Sequence, residues 1–113
     1  TNYDLFDNLD FSQLTKKSSL MFNKSLTALV GFDVEQAKEI CEMDDEVDQL
    51  KNQMKQQIKE LLDSKNNNDA LLEAFSIIHY LERVGDLSSN IAEEIIYIEE
   101  GEIIRHRKSL NKN

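Results

Sequence analysis

The sequence predicts an all-α domain, an antiparallel three-helix bundle, on three observations. The 113 residues contain no proline and only three glycines; apolar residues recur at spacings of three and four; and two short polar interruptions divide the chain into three long segments. Proline breaks helix interiors and β-rich folds need many turns, so the first observation favours long, uninterrupted helices. The length suits one domain around one core, and 40% hydrophobic with 31% charged residues is the balance of a soluble folded chain.

Residues 1–9 lack periodicity and form a lead-in, with Leu5, Phe6 and Leu9 available to pack over an open bundle end. The bundle proper is expected over residues 10–101. In its first helix the apolar or small positions are Phe11, Leu14, Ser18, Met21, Phe22, Ser25, Ala28 and Leu29. Gly31 supplies a stop, and Asp33 followed three residues later by Gln36 resembles a capping box that opens the second helix. So tight a connection makes the first two helices antiparallel neighbours. The second helix is expected over residues 34–62, its stripe being Ala37, Ile40, Val47, Leu50, Met54, Ile58 and Leu61. Residues 63–69 are polar and asparagine-rich, as a helix connection requires. The third helix starts near Ala70, and Leu71, Ala74, Phe75, Ile78, Leu81, Gly85, Ser88, Ala92, Ile95 and Ile96 carry its stripe until Gly101 ends it. Residues 102–113 form a basic, frayed tail. An up-down-up bundle buries these stripes economically, although a coiled-coil assembly of several chains uses the same periodicity.

Twenty-two acidic against thirteen basic residues give a formal charge of -9, which repels phosphate backbones and anionic headgroups and argues against nucleic-acid or membrane-surface binding. No apolar run approaches the roughly 20 residues that cross a bilayer, so no direct membrane insertion is expected and the chain reads as cytoplasmic. Thr1 stands where a start methionine is expected, which suggests a piece of a longer protein. Cys41 is the single cysteine and reads as a small buried side chain rather than a reactive thiol.

The acids are not scattered. Asp44 and Asp48 lie one helical turn apart, Asp44 inside the apolar sector and Asp48 at its border; Glu82 and Asp86 repeat the spacing on the third helix, and Asn90 and Glu93 continue the polar line. Like charges four apart cost a few tenths of a kcal/mol, more where neighbouring helices exclude water. Either a hard cation offsets that repulsion (magnesium, calcium, manganese or, with adaptation, iron), or the acids are solvated and paired with Lys51, Lys55 and Arg83. His79 and His106 have no histidine or cysteine at metal spacing and read as packed or surface residues. Gly85, inside a strong helix, costs about 1 kcal/mol relative to alanine and suggests close approach of a neighbouring helix or a ligand. The IIYI run at 95–98 is read mainly as core, with a partner surface as the alternative. No glycine-rich phosphate loop, GxSxG, HExxH or cysteine–histidine arrangement is present, so the expectation is a protein that is not an enzyme.

LERVGDLSSNIAEEIIYIEEGEIIRH at 81–106 resembles the PhoU family of bacterial phosphate-signalling proteins, LERVGD matching its ExxxD motif, and DVEQAKEICEMDDEVDQL resembles the family's second-helix signature. The resemblance implies one three-helix repeat of a kind normally present twice, with metal ions or clusters on the carboxylate motifs. It assigns Asp44, Asp48, Glu82 and Asp86, then Asn90 and Glu93, to a divalent or trivalent ion: iron, manganese, magnesium or zinc. It further implies a regulatory adaptor between a phosphate transporter component and a sensor kinase. The alternatives are an oligomerising helical module, since a one-repeat chain suggests a homo-oligomer, or the cytosolic domain of a sodium/phosphate cotransporter.

Overall fold

The structure, a computed structural model, describes residues 11–62 and 68–110. It comprises three helices, α1 Phe11–Gly31, α2 Val34–Leu62 and α3 Asn68–Leu110, each packed on the other two. Cross-helix ion pairs fix the directions. Lys17 meets Glu46 and Lys24 meets Glu39, so α1 and α2 run antiparallel. The core is built from Leu14, Met21 and Ala28 of α1, Ala37, Ile40, Val47, Met54 and Ile58 of α2, and Leu71, Ala74, Ile78, Ala92 and Ile95 of α3. These are the stripes that the three-and-four spacing predicts; each fully buried large aliphatic contributes about 1.5–3 kcal/mol. Leu29 is the exception in α1, half exposed rather than on the core face.

Small polar residues are also buried, Ser18 and Ser25 on α1 and Ser88 and Ser89 on α3. The Ser25 hydroxyl donates to the Phe22 carbonyl at 2.6 Å and that of Ser88 to Val84 at 2.7 Å, so these hydroxyls are satisfied within their own helices.

The turn between α1 and α2 is a Schellman motif. The Asp33 amide donates to the Ala28 carbonyl at 2.9 Å and the Phe32 amide to Leu29 at 3.3 Å, while Asp33 Oδ1 accepts from the Gln36 amide at 3.0 Å and caps α2. Gly31 is not the left-handed residue of this stop. That conformation falls on Phe32, at φ 47°, and Gly31 is the last helical residue.

The end of α3 differs from the expectation. The helix runs through Gly101 to Leu110, 43 residues or about 65 Å, where the sequence places its end at Gly101. One glycine costs about 1 kcal/mol, which the helix-forming residues after it and Arg107 and Lys108 at the C-terminal dipole offset. The helix also takes in Asn68 and Asp69 of the expected connection; residues 63–67, the lead-in and residues 111–113 lie outside the described residues.

Candidate metal centre

Where α2 and α3 run side by side, Asp44, Asp48, Glu82 and Asp86 line one small cavity of about 10 Å³, with Leu14, Val47 and Leu81 as its apolar walls and Lys51 and Gly85 completing it. That is room for about one water-sized sphere. The helical period alone places each pair on one face; the packing of α2 on α3 joins the pairs. Asp44, Asp48 and Glu82 are half-buried and Asp86 is exposed at the rim. Asn90 and Glu93 do not line the cavity. Both are exposed further along α3, where the charge of Glu93 acts on Cys41.

Two lysines enter this acidic seam. Lys51 Nζ lies 2.9 Å from Asp48 Oδ1 within α2, and Lys55 Nζ crosses to Glu82 Oε1 on α3 at 2.5 Å. Burial opposes the Lys51 charge, but the Asp48 hydrogen bond and the charges of Asp48, Glu82 and Asp86 outweigh it and raise its pKa. Asp44 has the opposite problem. Burial, then the charges of Asp48, Asp86 and Asp45, push its carboxyl above the ordinary value of 3.8, and Lys51 only partly counters them. Four carboxylates face two ammonium groups, so the seam carries a surplus of negative charge.

The donor set suits a hard cation, being all carboxylate oxygen. Its present arrangement does not close around one: among the described residues no three histidine, cysteine, aspartate or glutamate side chains converge closely enough to hold a metal. Asp48 and Glu82 are turned to lysines instead. The residues thus fit a cation by chemistry, with internal ammonium groups meeting two of the four donors.

Gly85 is buried at this cavity, yet a Cβ added there would meet nothing within 4 Å. Close approach of a helix, the expectation for this glycine, is therefore not its reason; open space beside the carboxylates is what it provides. His79 and His106 are exposed and outside the cavity. Cys41 is half-buried rather than buried, and burial, then the charges of Glu93, Asp44 and Asp45, raise its thiol pKa, so it is held as the unreactive thiol. Sequence periodicity missed two juxtapositions, Lys55 with Glu82 and Cys41 with Glu93. Both depend on the register between α2 and α3, which no pattern within one helix encodes.

The fold and cavity define a class: a helical bundle with paired carboxylates facing each other across two helices. The PhoU domain family matches residues 11–95, and the chain belongs to that family. Among its relatives, the phosphate-specific transport system accessory protein PhoU homolog of Aquifex aeolicus is 36% identical over 103 residues, covering 88% of this chain and 45% of the relative. Those of Clostridium acetobutylicum and Deinococcus radiodurans are each 31% identical, over 73% and 79% of this chain and 38% and 42% of their own lengths. The chain thus spans about two fifths of the length of these relatives. No solved structure matches it. Among the described residues, no helix is long and apolar enough to cross a membrane.

Proposed function

We propose that this chain is a non-enzymatic regulatory adaptor of phosphate transport and phosphate-starvation signalling, acting through protein contacts and carrying a metal ion on its carboxylate motifs. A role in regulating phosphate transport accords with relatives named as accessory proteins of a phosphate-specific transport system. The observation that carries the metal reading is the meeting of the Asp44/Asp48 and Glu82/Asp86 pairs at one cavity with more acids than bases. These four residues would hold a divalent or trivalent ion, whose charge supplies what Lys51 and Lys55 leave unbalanced. Asp48 and Glu82 must exchange their lysines for it, so binding links to the position of α2 against α3. The proposed partners are a phosphate transporter component and a sensor kinase, in the cytoplasm.

Calorimetric titration with manganese, iron and magnesium tests the metal reading. Heat from the parent chain and none from an Asp48→Asn, Asp86→Asn double variant is the expected result; equal heats from both would remove it. The adaptor reading is tested by expressing the chain in bacteria whose own regulator is deleted and following a phosphate-starvation reporter. Repression of the reporter is expected, and an unchanged reporter would overturn the reading.

A second reading, self-association, is favoured by one observation: α3 is exposed throughout from Glu102 to Ser109, and Tyr97, Ile98, Ile103 and Ile104 present large apolar side chains on its surface.

A further inference from the structure

The core ends before α3 does. Ile95 is the last buried residue of α3, and every residue from Glu102 to Ser109 is exposed. On the outer side of α3 past Ile95, Tyr97 is 73% exposed, Ile98 46% and Ile104 52%. These three, with Glu100 and Arg105, surround a shallow groove at Gly101, where an added Cβ would meet nothing.

At 100° per residue, Glu94, Tyr97, Ile98, Gly101, Ile104, Arg105 and Lys108 all lie within about 60° of the Gly101 direction. They therefore form one face, and the face has an order. Acid stands at its start, apolar groups on both sides of the glycine, and base at its end. Turned about a two-fold axis through Gly101, this order meets its own complement: Gly101 faces Gly101, Ile98 faces Ile104, Tyr97 faces Arg105 and Glu94 faces Lys108. Apolar meets apolar, a guanidinium meets an aromatic face, and acid meets base. A parallel pairing would instead set Glu94 against Glu94 and Lys108 against Lys108. Elsewhere the charge of -9 opposes self-contact, and this face holds the basic end of the molecule. Arg105 already bridges Glu102 of its own helix at 2.6 Å, which holds its guanidinium at the edge of the groove.

We infer that the projecting end of α3 is a homodimer interface, on which a second copy of this chain packs antiparallel with the two-fold axis at Gly101. The inference deepens the self-association reading above and is independent of the metal. A contact this short is small, so the dimer forms and dissociates reversibly at accessible concentrations.

Sedimentation equilibrium of the full chain, from low micromolar to millimolar, tests it with three variants. The parent is expected to pass from monomer to dimer. Lys108→Glu and Glu94→Lys each place two like-charge contacts in the two-fold dimer and are expected to weaken it roughly tenfold at low salt, and the double exchange to restore it. Both positions are exposed, and helical circular dichroism confirms that each variant folds. As a geometric check, in a Cys41→Ser background, chains carrying Ile98→Cys should form disulfides on mild oxidation with chains carrying Ile104→Cys in preference to their own kind. A chain that stays monomeric throughout would overturn both the interface and self-association. A dimer indifferent to the single charge reversals, or not restored by the exchange, would overturn this interface and leave self-association standing.

Discussion

The α1–α2 and α2–α3 seams both carry charges that face water, and they are balanced differently. Between α1 and α2, Lys17 meets Glu46 at 3.6 Å and Lys24 meets Glu39 at 3.9 Å, one base to one acid, all with exposed or partly exposed ends. Between α2 and α3, four carboxylates share two lysines, and Lys51 is only 17% exposed. The first seam is at rest, because solvent and partners already meet each charge. The second holds Asp44 against its own titration preference. Acidic residues at helical spacing therefore do not define a site; a deficit of cations where water is partly excluded does.

The largest test of that contrast is addition of metal. At a manganese concentration 100 times its dissociation constant, the parent should gain about 2.7 kcal/mol against urea, and the Asp48→Asn, Asp86→Asn variant nothing. Without metal, Lys51→Met should cost about 1 kcal/mol, because it leaves Asp48 unpaired in the crowded seam. The same variant should bind manganese more tightly, since no ammonium then competes for Asp48. The raised pKa of Lys51 means that its contribution is present below its unfolded value of 10.5 and is lost only as pH rises through the folded value. Urea melts of parent and variant across the alkaline range should converge there.

Asp44→Asn should act in the other direction, stabilising the metal-free chain by about 0.5 kcal/mol at pH 7. The sign follows from linkage. A carboxyl whose folded pKa is raised favours the folded state below its unfolded value, and that advantage disappears as pH rises through the folded value. The stabilisation by Asp44→Asn, measured by urea melts, should therefore shrink as pH falls through the raised folded value and be gone below pH 3.8. Smallest of all, Lys24→Met in the balanced seam should change stability by less than about 0.5 kcal/mol. A loss as large as that of Lys51→Met would erase the distinction between the seams.

What could be read from the sequence was what each helix decides alone. The second helix was legible to both ends, because Asp33 caps its start and polar residues follow Leu62. The pairing of Asp44 with Asp48 and of Glu82 with Asp86 was legible for the same reason, being set by the helical period. Gly31 marks the end of α1 as read, although the left-handed residue of its Schellman turn sits one place beyond the helix, at Phe32; Gly101 misled, because a glycine is cheap evidence for a stop. At Gly101 the flanking residues sustain the helix. The sequence offers Lys51 and Lys55 as partners for the acids, yet that Lys55 reaches across to Glu82 depends on register between helices.

Gly85 has a consequence for how the molecule balances sturdiness against readiness. Alanine there would clash with nothing and would stiffen the helix, a gain of about 1 kcal/mol that the chain forgoes. The missing methyl group leaves vacant volume directly beside four carboxylates. A more durable version of this protein is one substitution away, and it would have less room for whatever answers those charges.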